Sequence, residues 1–393
     1  MLEGSFSKIK KRRVALLIET TRSYGRRIMD GIADYLQENR PWQIFVQPRA
    51  LNDPIPQWLN HWRGDGVIAR GLDENTCRQI EASGIPVVNL KGASKNSLFQ
   101  PDFSTDRVAV GRMAAEHFIQ RQYTRFGFVG LPGMSWSEQE QYGFIQRLAE
   151  SGLTCNVFEH KSTYTLHPDG AMDEEIDALE AWLRSLAAPV GILAADDFLG
   201  VQLLSACYNL EIKVPEMVSI IGVGDEGTVS RMTSPTLSSV RPNEALLGRK
   251  AAELLDKLMN GEKVERKTIL IPPSGISERH SSDTFAVEDL QVMRALAFIR
   301  ENVAHGVNAA DIVRFIGVSK SQIQRKFQTL LNHSIYDVII DYRIRLVKEY
   351  LKNTQISLCN ISKLSGFKYN SHMNSLFKLK TGMTPAEYRE EEV

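Results

Sequence analysis

Residues 358–389 read LCNISKLSGFKYNSHMNSLFKLKTGMTPAEYR. The stretch predicts a short helix ending at Ser365, a tight turn at Gly366-Phe367 and a second helix over Asn370–Lys380, because apolar residues recur at helical spacing on both sides of the glycine. Residues 309–331 repeat this order around Gly317. Two helices joined by such a turn can deliver the second helix to the major groove of DNA. The C-terminal part is therefore predicted to contain two helix-turn-helix units.

The second helix of each unit combines an apolar face with a polar one. Ile323 and Phe327 mark the apolar face in the first unit, and Met373 and Phe377 mark it in the second. Asn can pair with adenine, and Lys can bind guanine or phosphate. Ordinary solvated helix faces are the alternative, and it is weaker for two units than for one. The residues predicted to contact DNA are Ser319, Lys320, Ser321, Gln322, Gln324, Arg325, Tyr369, Asn370, Ser371, His372, Asn374 and Lys378.

A helix predicted over Ile335–Leu351 separates the two units. At about 1.5 Å per residue it spans about 25 Å, which with the helix widths at its ends is comparable to the roughly 34 Å between successive major grooves. From Ser319 to Lys380 there are 11 Lys or Arg against three acids, a net charge of +8 in a chain that is formally neutral. Such a basic footprint attracts phosphate backbones. One chain is thus predicted to read two grooves.

Residues 13 to about 276 follow another pattern, in which short apolar runs alternate with helical ones. Val14–Ile18 precedes Arg27–Glu38, and Val190–Ala194 precedes Phe198–Leu210. Strands that alternate with helices of about 10 to 15 residues predict βαβ units and a parallel sheet. About six or seven such units exceed one small doubly wound domain. Two lobes with a ligand crevice between them are therefore expected.

The boundary between the two patterns is predicted at Ser277–Phe285, where Ser, Asp and Thr cluster without periodicity. Only helical patterns follow it. The predicted organisation is an N-terminal tail (1–12), a two-lobed α/β domain (13–278), a linker (279–287) and an all-α domain with two helix-turn-helix units (288–393).

Composition excludes several classes of protein. The chain has 393 residues, 43% of them hydrophobic and 24% charged, which is ordinary for a globular protein. The apolar run behind the basic cluster at residues 8–13 is shorter than the core of a signal peptide, so a cytoplasmic protein is expected. Four scattered cysteines and eight scattered histidines predict no disulfide framework, no metal site and no cofactor.

The C-terminal residues also resemble a known family. The run Ile361-Ser362-Lys363-Leu364-Ser365-Gly366-Phe367, followed by Leu376-Phe377-Lys378, Gly382-Met383-Thr384-Pro385 and Tyr388-Arg389, is similar to the signature of AraC-type transcription regulators. Ser362 and Met373 depart from the usual Ala and Phe, which loosens the packing without changing the polar face. The resemblance implies double-stranded operator or promoter DNA and RNA polymerase as partners.

In the N-terminal part the informative residues follow the predicted strands, because open α/β sheets bind ligands beyond the carboxyl ends of their strands. Carboxylates and Arg side chains among aromatic rings suit a polyhydroxyl ligand. The alternative is that exposed loop tips are simply charged, and spacing alone favours it. The candidate effector-binding residues are Glu19, Arg22, Tyr24, Arg26, Asp106, Trp136, Glu140, Asp196, Asp197 and Asp225.

A second resemblance shifts this balance towards a ligand site. The runs Asp65-Gly66-Val67-Ile68, Gly84-Ile85-Pro86-Val87-Val88, Ala194-Ala195-Asp196-Asp197, Val214–Gly222, Pro235–Val240 and Glu278-Arg279-His280-Ser281 are similar to the sensor domain of LacI-type regulators, which is built like periplasmic sugar-binding proteins. By that family's pattern, lobe 1 would hold residues 13–122 and 240–265, and lobe 2 residues 123–239 and 266–278. Asp106 would then lie on one lobe, and Asp196, Asp197 and Asp225 on the other.

A LacI-like sensor followed by AraC-type helices resembles the regulators of xylose operons. The resemblance implies a homodimeric activator that responds to xylose or a related monosaccharide, with a sugar-sensing repressor or the regulator of another carbohydrate pathway as alternatives. Two departures concern the effector. The family usually has Arg where Glu140 stands and Asp where Gly224 stands, and both family residues commonly face the ligand.

Three competing interpretations are weaker. Gly222-x-Gly224-x-x-Gly227 formally matches a dinucleotide fingerprint, but Pro235 and Pro242 leave little room for the helix it needs. The segment at Gly133 lacks the second glycine of a nucleophile elbow. A transport receptor would share the N-terminal fold, but we expect it to carry a signal peptide and to end near residue 283. An enzyme is therefore not expected.

Overall fold

The computed structural model describes residues 11–39, 41–50, 53–54, 56–72, 74–90, 102–160, 171–264 and 268–391. It divides into two compact units that meet at Asp283 and Thr284, here called the N-terminal and the C-terminal domain. Residues 1–10 of the predicted tail lie outside the described part. Among the described residues, no helix is long and apolar enough to cross a membrane, and no three His, Cys, Asp or Glu side chains group around a possible metal position.

The N-terminal domain alternates strands and helices, as the sequence pattern predicts. Its elements in chain order are β1 (Arg13–Leu17), α1 (Ser23–Glu38), β2 (Gln43–Val46), a 3-10 helix (Gln57–His61), β3 (Gly66–Ala69), α2 (Glu74–Ala82), β4 (Val87–Asn89), β5 (Asp102–Thr105), α3 (Arg107–Gln120), β6 (Phe126–Gly130), α4 (Ser135–Ala149), β7 (Cys155–Glu159), α5 (Ala171–Ser185), β8 (Val190–Ala194), α6 (Asp197–Asn209), β9 (Val218–Val223), α7 (Gly227–Met232), β10 (Ser238–Arg241), α8 (Glu244–Met259), β11 (Thr268–Ile271) and β12 (Gly275–Ser277).

Lobe 1 is built on a parallel sheet of order β2-β1-β3-β4, with β5 and β11 paired beside it. Its core joins Val14 and Ile68 of the sheet to Phe103 of β5 and Leu255 of α8. Helices α1 and α8 cross in backbone contact, because a Cβ at Gly31 would lie 1.8 Å from the carbonyl oxygen of Ala245. This close crossing holds the middle of α1 against the start of α8.

Lobe 2 is built on a sheet of order β12-β10-β9-β8-β6-β7, in which only β12 runs antiparallel. Buried rings pack its core, with Phe118 and Phe128 both against Phe144. Helices α3 and α4 approach as closely as α1 and α8, since a Cβ at Gly111 would lie 2.0 Å from the carbonyl oxygen of Glu140. Helix α3 therefore belongs to lobe 2.

The positions at which the chain passes between the lobes differ from the prediction. The first passage, predicted near residue 122, falls at Asp106, because β5 pairs with β11 in lobe 1 whereas α3 packs on α4 in lobe 2. The second, predicted near 239, falls between β10 and α8. The third, predicted near 266, touches residues outside the described part, but β11 at 268–271 belongs to lobe 1 rather than lobe 2, so the chain crosses after it.

The segment predicted as a linker is also different. Ser281 and Ser282 are fully buried in the N-terminal domain. Ser281 donates from its hydroxyl to the carbonyl oxygen of Ile220 at 2.6 Å and accepts from the amide of Ser238 at 2.8 Å. Its hydroxyl thus satisfies the backbone beside the central strands, which is why a Ser-rich stretch can be buried. The domain boundary lies inside the predicted linker, after Asp283.

The C-terminal domain is all helical, as predicted. Its elements in chain order are α9 (Leu290–Asn302), a 3-10 helix (Val303–His305), α10 (Ala309–Ile316), α11 (Lys320–Leu331), α12 (Ile335–Asn353), α13 (Leu358–Leu364), α14 (Asn370–Thr381) and α15 (Pro385–Glu391). Capping residues set several of the boundaries. Asn308 and Ser334 form capping boxes with Asp311 and Asp337, and Gly317 ends α10 in the left-handed conformation.

Two hydrophobic clusters hold this domain together, and both include residues of α12. Val338 and Tyr342 join the cluster of α9, α10 and α11, whereas Ile344 and Val347 join that of α13 and α14. Each helix-turn-helix unit therefore packs on one half of the same helix.

Candidate interlobe site and nucleic-acid interface

The carboxyl ends of the strands in the two lobes bring polar side chains together around Tyr24. Its hydroxyl lies 2.9 Å from the hydroxyl of Thr105. The guanidinium groups of Arg70, from lobe 1, and Arg107, from lobe 2, lie 4.3 and 5.4 Å from the centre of its ring. A partly buried aromatic ring attracts a cation held close to it, so Tyr24 joins an arginine of each lobe.

Each of these arginines pairs with a buried carboxylate that the sequence singles out. Arg70 donates to Glu19, and Arg107 donates to Glu140 at 2.8 Å; Glu19 is 1% and Glu140 0% exposed. Burial raises the pKa of Glu140 to about 8, although Arg107 opposes the shift. Glu19 and Arg70 follow β1 and β3, Arg107 begins α3, and Glu140 lies in the second turn of α4.

Three carboxylate oxygens of this cluster are buried and accept no hydrogen bond in the structure: Oε2 of Glu19, Oε2 of Glu140 and Oδ2 of Asp196. The other oxygen of Asp196 caps α6 by accepting from the amide of Leu199 at 2.9 Å. Burial raises the pKa of Asp196 to about 6. Buried acceptors without partners are costly, so this cluster is suited to a ligand that carries several hydroxyl donors.

A second set of contacts ties the start of α1 to lobe 2. Glu226 accepts hydrogen bonds from the amide of Ser23, at 2.9 Å, and from its hydroxyl. Arg27 donates to the carbonyl oxygens of Gly224 and Asp225, the latter at 3.0 Å, and pairs with Glu244 at 2.8 Å. The loop at 224–226 is thereby held to lobe 1. Arg22 makes a further contact, with its guanidinium 5.7 Å from the ring centre of Phe198.

The structure gives Asp197 and Asp225 roles other than the predicted one. Asp197 is fully buried and accepts from the hydroxyl of Ser239 at 2.6 Å and from the amide of Glu226 at 2.5 Å. Asp225 accepts from Arg279 at 2.6 Å and from Ser277 at 2.8 Å. All four oxygens are used inside lobe 2. These contacts shape the 224–226 loop and replace the prediction that both carboxylates hold a ligand directly.

The remaining candidate effector-binding residues differ in their contacts and in their exposure to solvent. Asp106 caps α3 by accepting from the amide of Ala109 at 2.8 Å. Arg26 is exposed and donates to the carbonyl oxygen of Thr20 at 2.8 Å, within its own loop, so that its contact with a ligand stays a prediction. Trp136 is half-buried in the first turn of α4.

Sequence reasoning missed Ser23, Arg27, Arg70, Arg107 and Glu226. Arg70 follows β3 directly and Arg107 follows Asp106, so the strand-end rule that selected Glu19 could have found both. Nothing in the spacing distinguishes Arg27 from Arg26, because their difference lies in the direction of two adjacent side chains on the first turn of α1.

The structure of the loop at 222–227 also argues against the alternative that this glycine-rich segment binds a dinucleotide. A short helix, α7, does open at Gly227, contrary to the expectation that the prolines leave little room for one. However, the carboxylate of Asp197 occupies the inside of the loop, where a Cβ at Gly222 would lie 2.2 Å from its Oδ1, and it takes the amide of Glu226. A pyrophosphate needs such amides and is repelled by a carboxylate.

In the C-terminal domain the predicted polar faces lie on α11 and α14. Ser319 caps α11 through the amide of Gln322, and the predicted residues of this helix are exposed. Ser371, His372 and Lys378 are exposed on α14. Asn370 and Asn374 are only half-exposed, and the side-chain oxygen of each is buried without a hydrogen-bond partner. The solvent-exposed polar surface of α14 is therefore smaller than the helical pattern predicts.

Family models and relatives match the whole of this organisation. A XylR N-terminal domain matches residues 13–110, a periplasmic binding protein-like domain 115–282 and a helix-turn-helix domain 312–391. The xylose operon regulatory protein of Haemophilus influenzae is 30% identical over 96% of this chain and 98% of its own length, and that of Escherichia coli K12 is 29% identical over 97% of both. A solved structure described as a xylose-binding transcription activator covers 98% of the chain, and the chain covers 99% of it, with a TM-score of 0.74 and 28% identity.

Together, the fold and these relatives define the class: the chain is a sensor-linked transcription regulator with a helix-turn-helix DNA-binding domain, as its relatives are, rather than an enzyme. More particularly, the chain belongs to the family of xylose operon regulatory proteins.

Proposed function

We propose that the crevice between the lobes binds a neutral monosaccharide, xylose or a close relative, and that binding controls transcription of an operon for its breakdown. The observation that carries the proposal is the set of three buried carboxylate oxygens without partners, on Glu19, Glu140 and Asp196. Sugar hydroxyl groups would donate to the oxygens of Glu19 and Asp196, and Glu140, whose pKa is raised to about 8, could both donate to and accept from them. Tyr24 lies beside these carboxylates, with the guanidinium groups of Arg70 and Arg107 against its ring.

Paired cations argue against an acidic effector. Arg70 and Arg107 are engaged by Glu19 and Glu140, and Arg27 is engaged by Glu244. A sugar acid or sugar phosphate would bring a further negative charge beside these carboxylates, which costs binding energy in a partly buried site. Glu140 stands where the resemblance leads us to expect Arg, so a relative of xylose is as consistent with the site as xylose itself.

Ligand contacts from both lobes would favour the closed arrangement, in which Ser23 and Arg27 hold the 224–226 loop. The coupling is limited to the difference in affinity between open and closed states, typically about 1 to 3 kcal/mol, so DNA affinity should change by roughly 5- to 150-fold. We propose that the regulator acts as an activator, as a homodimer that contacts RNA polymerase in the cytoplasm. The alternative is a repressor with the same sensor.

On the DNA side, we propose that Gln324 of α11 and Asn374 of α14 read bases, and that Lys378 binds phosphate. Support comes from their places on the second helix of each unit and from the exposure of Gln324 and Lys378. The half-buried amide of Asn374 leaves it a shorter reach than a fully exposed side chain has.

A thermal-shift panel tests the sensor. Pentoses, hexoses, a uronic acid and a sugar phosphate are each added to the full chain, and a ligand that binds only the folded state raises the melting temperature in proportion to RT ln(1 + [L]/Kd). We expect stabilisation by xylose or another neutral pentose. Stabilisation only by the acids would contradict the proposed ligand class. Reporter expression with and without the active sugar then distinguishes activator from repressor.

A further inference from the structure

The two helix-turn-helix units touch each other as well as sharing α12. The turn of the second unit, at Gly366 and Phe367, packs against the segment that follows α9. Gly366 has a φ of +73°, and a Cβ on it would lie 2.0 Å from the carbonyl oxygen of Val303 and 3.2 Å from the amide of Gly306. Val303 belongs to the core of the first unit and Phe367 to that of the second. This backbone contact leaves no room for a side chain between the units.

Arg343 lies beside this contact, near the middle of α12. One guanidinium nitrogen donates to the carbonyl oxygen of Val307 at 2.9 Å, on the side of the first unit. The same group lies 5.5 Å from the ring centre of Phe367, in the turn of the second unit. Its Nε is buried and has no hydrogen-bond partner in the structure. A half-buried arginine committed to two such partners is a brace rather than a solvated surface cation.

Two further contacts involve only α12 and the second unit with the loop that precedes it. Lys380 of α14 pairs with Asp341 at 2.8 Å, and Arg389 of α15 donates to the carbonyl oxygen of Ile356 at 2.8 Å. Neither reaches the first unit. Arg343 is therefore placed to control how the first unit is oriented relative to the second.

We propose that Arg343 is a positioning residue that sets the spacing at which the two recognition helices enter successive major grooves. One inserted base pair moves the second groove by about 3.4 Å and about 35°, a tenth of a turn. A braced pair of units cannot follow this shift without bending the DNA or losing the contacts of one unit. Without the brace, the units can adjust, so native DNA is bound less well and altered spacing is tolerated better.

The test uses the full chain and its own promoter DNA, in which hydroxyl-radical footprinting locates the two contacted grooves. Affinities are measured for this duplex and for derivatives with one base pair inserted or deleted between the grooves. For the wild type we expect each change to weaken binding roughly 5- to 150-fold, the effect of losing one good contact. We call the affinity for the native duplex divided by that for an altered duplex the spacing ratio. For Arg343→Met, which keeps the apolar stem, we expect this ratio to shrink to about threefold or less.

Arg343→Lys and Arg345→Ala serve as matched controls. Arg343→Lys keeps the charge but not the planar fork, so its ratio should also shrink. Arg345→Ala removes a cation from the same helix, one that lies 5.1 Å from the ring centre of Tyr342, and should leave the ratio unchanged. A ratio that stays at the wild-type value in Arg343→Met, with binding to all three duplexes weakened equally or not at all, would overturn the proposal.

Melting temperatures show whether each variant is folded. If Arg343→Met does not fold, Phe367→Leu removes the ring beneath the guanidinium while retaining an apolar side chain in the core, and the same shrinkage is expected. An undiminished spacing ratio in folded Phe367→Leu would contradict the proposal just as directly.

Discussion

The interlobe crevice and the recognition helices use the same residue types in opposite ways. In the crevice, Arg107 and Glu140 are buried and paired, and what remains for a ligand is a set of carboxylate oxygens. On α11, Lys320 and Arg325 are exposed to solvent. A buried pair presents directed hydrogen-bond acceptors, whereas exposed cations present charge. The first suits a small neutral ligand and the second a polyanion, and the two should respond differently to salt, mutation and pH.

Salt should separate the two sites most strongly. Phosphate binding releases counterions, so DNA affinity is expected to fall by about a thousandfold or more between about 50 and about 200 mM salt if six or more phosphates are contacted. Residues 284–393 alone should show the same slope, since they form a compact unit with both reading helices. Sugar affinity should be nearly constant over this range. A fragment without any gel shift at low salt, or a steeply salt-dependent sugar affinity, would break the comparison.

Arg26 and Arg27 provide a matched pair within the N-terminal domain. Arg27→Ala removes contacts to the 224–226 loop and leaves Glu244, 2% exposed, without its partner. We expect the free energy of unfolding to fall by about 2 to 3 kcal/mol, less than for a fully buried pair because Arg27 is 29% exposed. Sugar affinity should fall about tenfold or more, while DNA binding without sugar is retained.

Arg26→Ala is the control for this variant, because Arg26 is exposed and bonds only to its own loop in the described contacts. Its melting temperature and its calorimetric sugar affinity should match the wild type. If the two variants behave alike, the 224–226 loop is not held to lobe 1 in the way described.

On the DNA side, base and phosphate readers should differ. Gln324→Ala and Asn374→Ala should relax sequence preference by about 1 to 3 kcal/mol per lost base contact, whereas Lys378→Ala should weaken binding to all sequences alike. Competition between promoter DNA and scrambled duplexes measures the difference. Equal weakening on every sequence by all three variants would remove the distinction between readers.

The last expected effect concerns pH. Burial raises the pKa of Glu140 from 4.5 to about 8, against the opposing effect of Arg107. The folded chain thus keeps a proton that the unfolded chain has released, so this group stabilises the fold fully below about pH 4.5 and loses that contribution as pH rises towards 8. Glu140→Gln should flatten the fall in melting temperature between pH 5 and pH 8, by an amount on the order of 3 kcal/mol in unfolding free energy.

Glu138→Gln is the control, because Glu138 is exposed on the same helix and accepts from the amide of Gly133. It should keep the wild-type slope. An identical slope in wild type and Glu140→Gln would show that Glu140 is already ionised in the folded chain at pH 5.

The contrast between the regions also explains what the sequence could predict. Helices α10, α11 and α14 follow from periodicity and from caps such as Ser319 and Gly317, which are local signals, and their polar faces follow from the same periodicity. Helix α8 has an equally clear apolar spacing, with Leu247, Ala251 and Leu255 buried, and could have been identified. Strands β5 and β11 are short and pair across about 160 residues of chain, so no local sequence pattern predicts them.

The candidate crevice was predictable as a location but not as a set of contacts. The rule that ligands bind beyond strand ends selected Glu19, Tyr24 and Asp196, which the structure brings to the cluster at the lobe junction, while their contact with a ligand stays a prediction. It also selected Asp197, whose neighbour Asp196 caps the helix while Asp197 itself turns inward to Ser239. Which of two adjacent carboxylates faces the crevice depends on the hydroxyl and amide donors that the other strands supply, and these are distant in sequence.

Helix α12 contributes Val338 and Tyr342 to one hydrophobic cluster and Ile344 and Val347 to the other. Neither helix-turn-helix unit therefore forms a complete hydrophobic core without α12. A chain cut after the first unit would lose the packing surface of α12, and a chain that begins at α12 would leave half of that helix's apolar side chains in water. The pair should therefore melt in one cooperative transition, and the smallest fragment that folds must contain both units together with the helix between them.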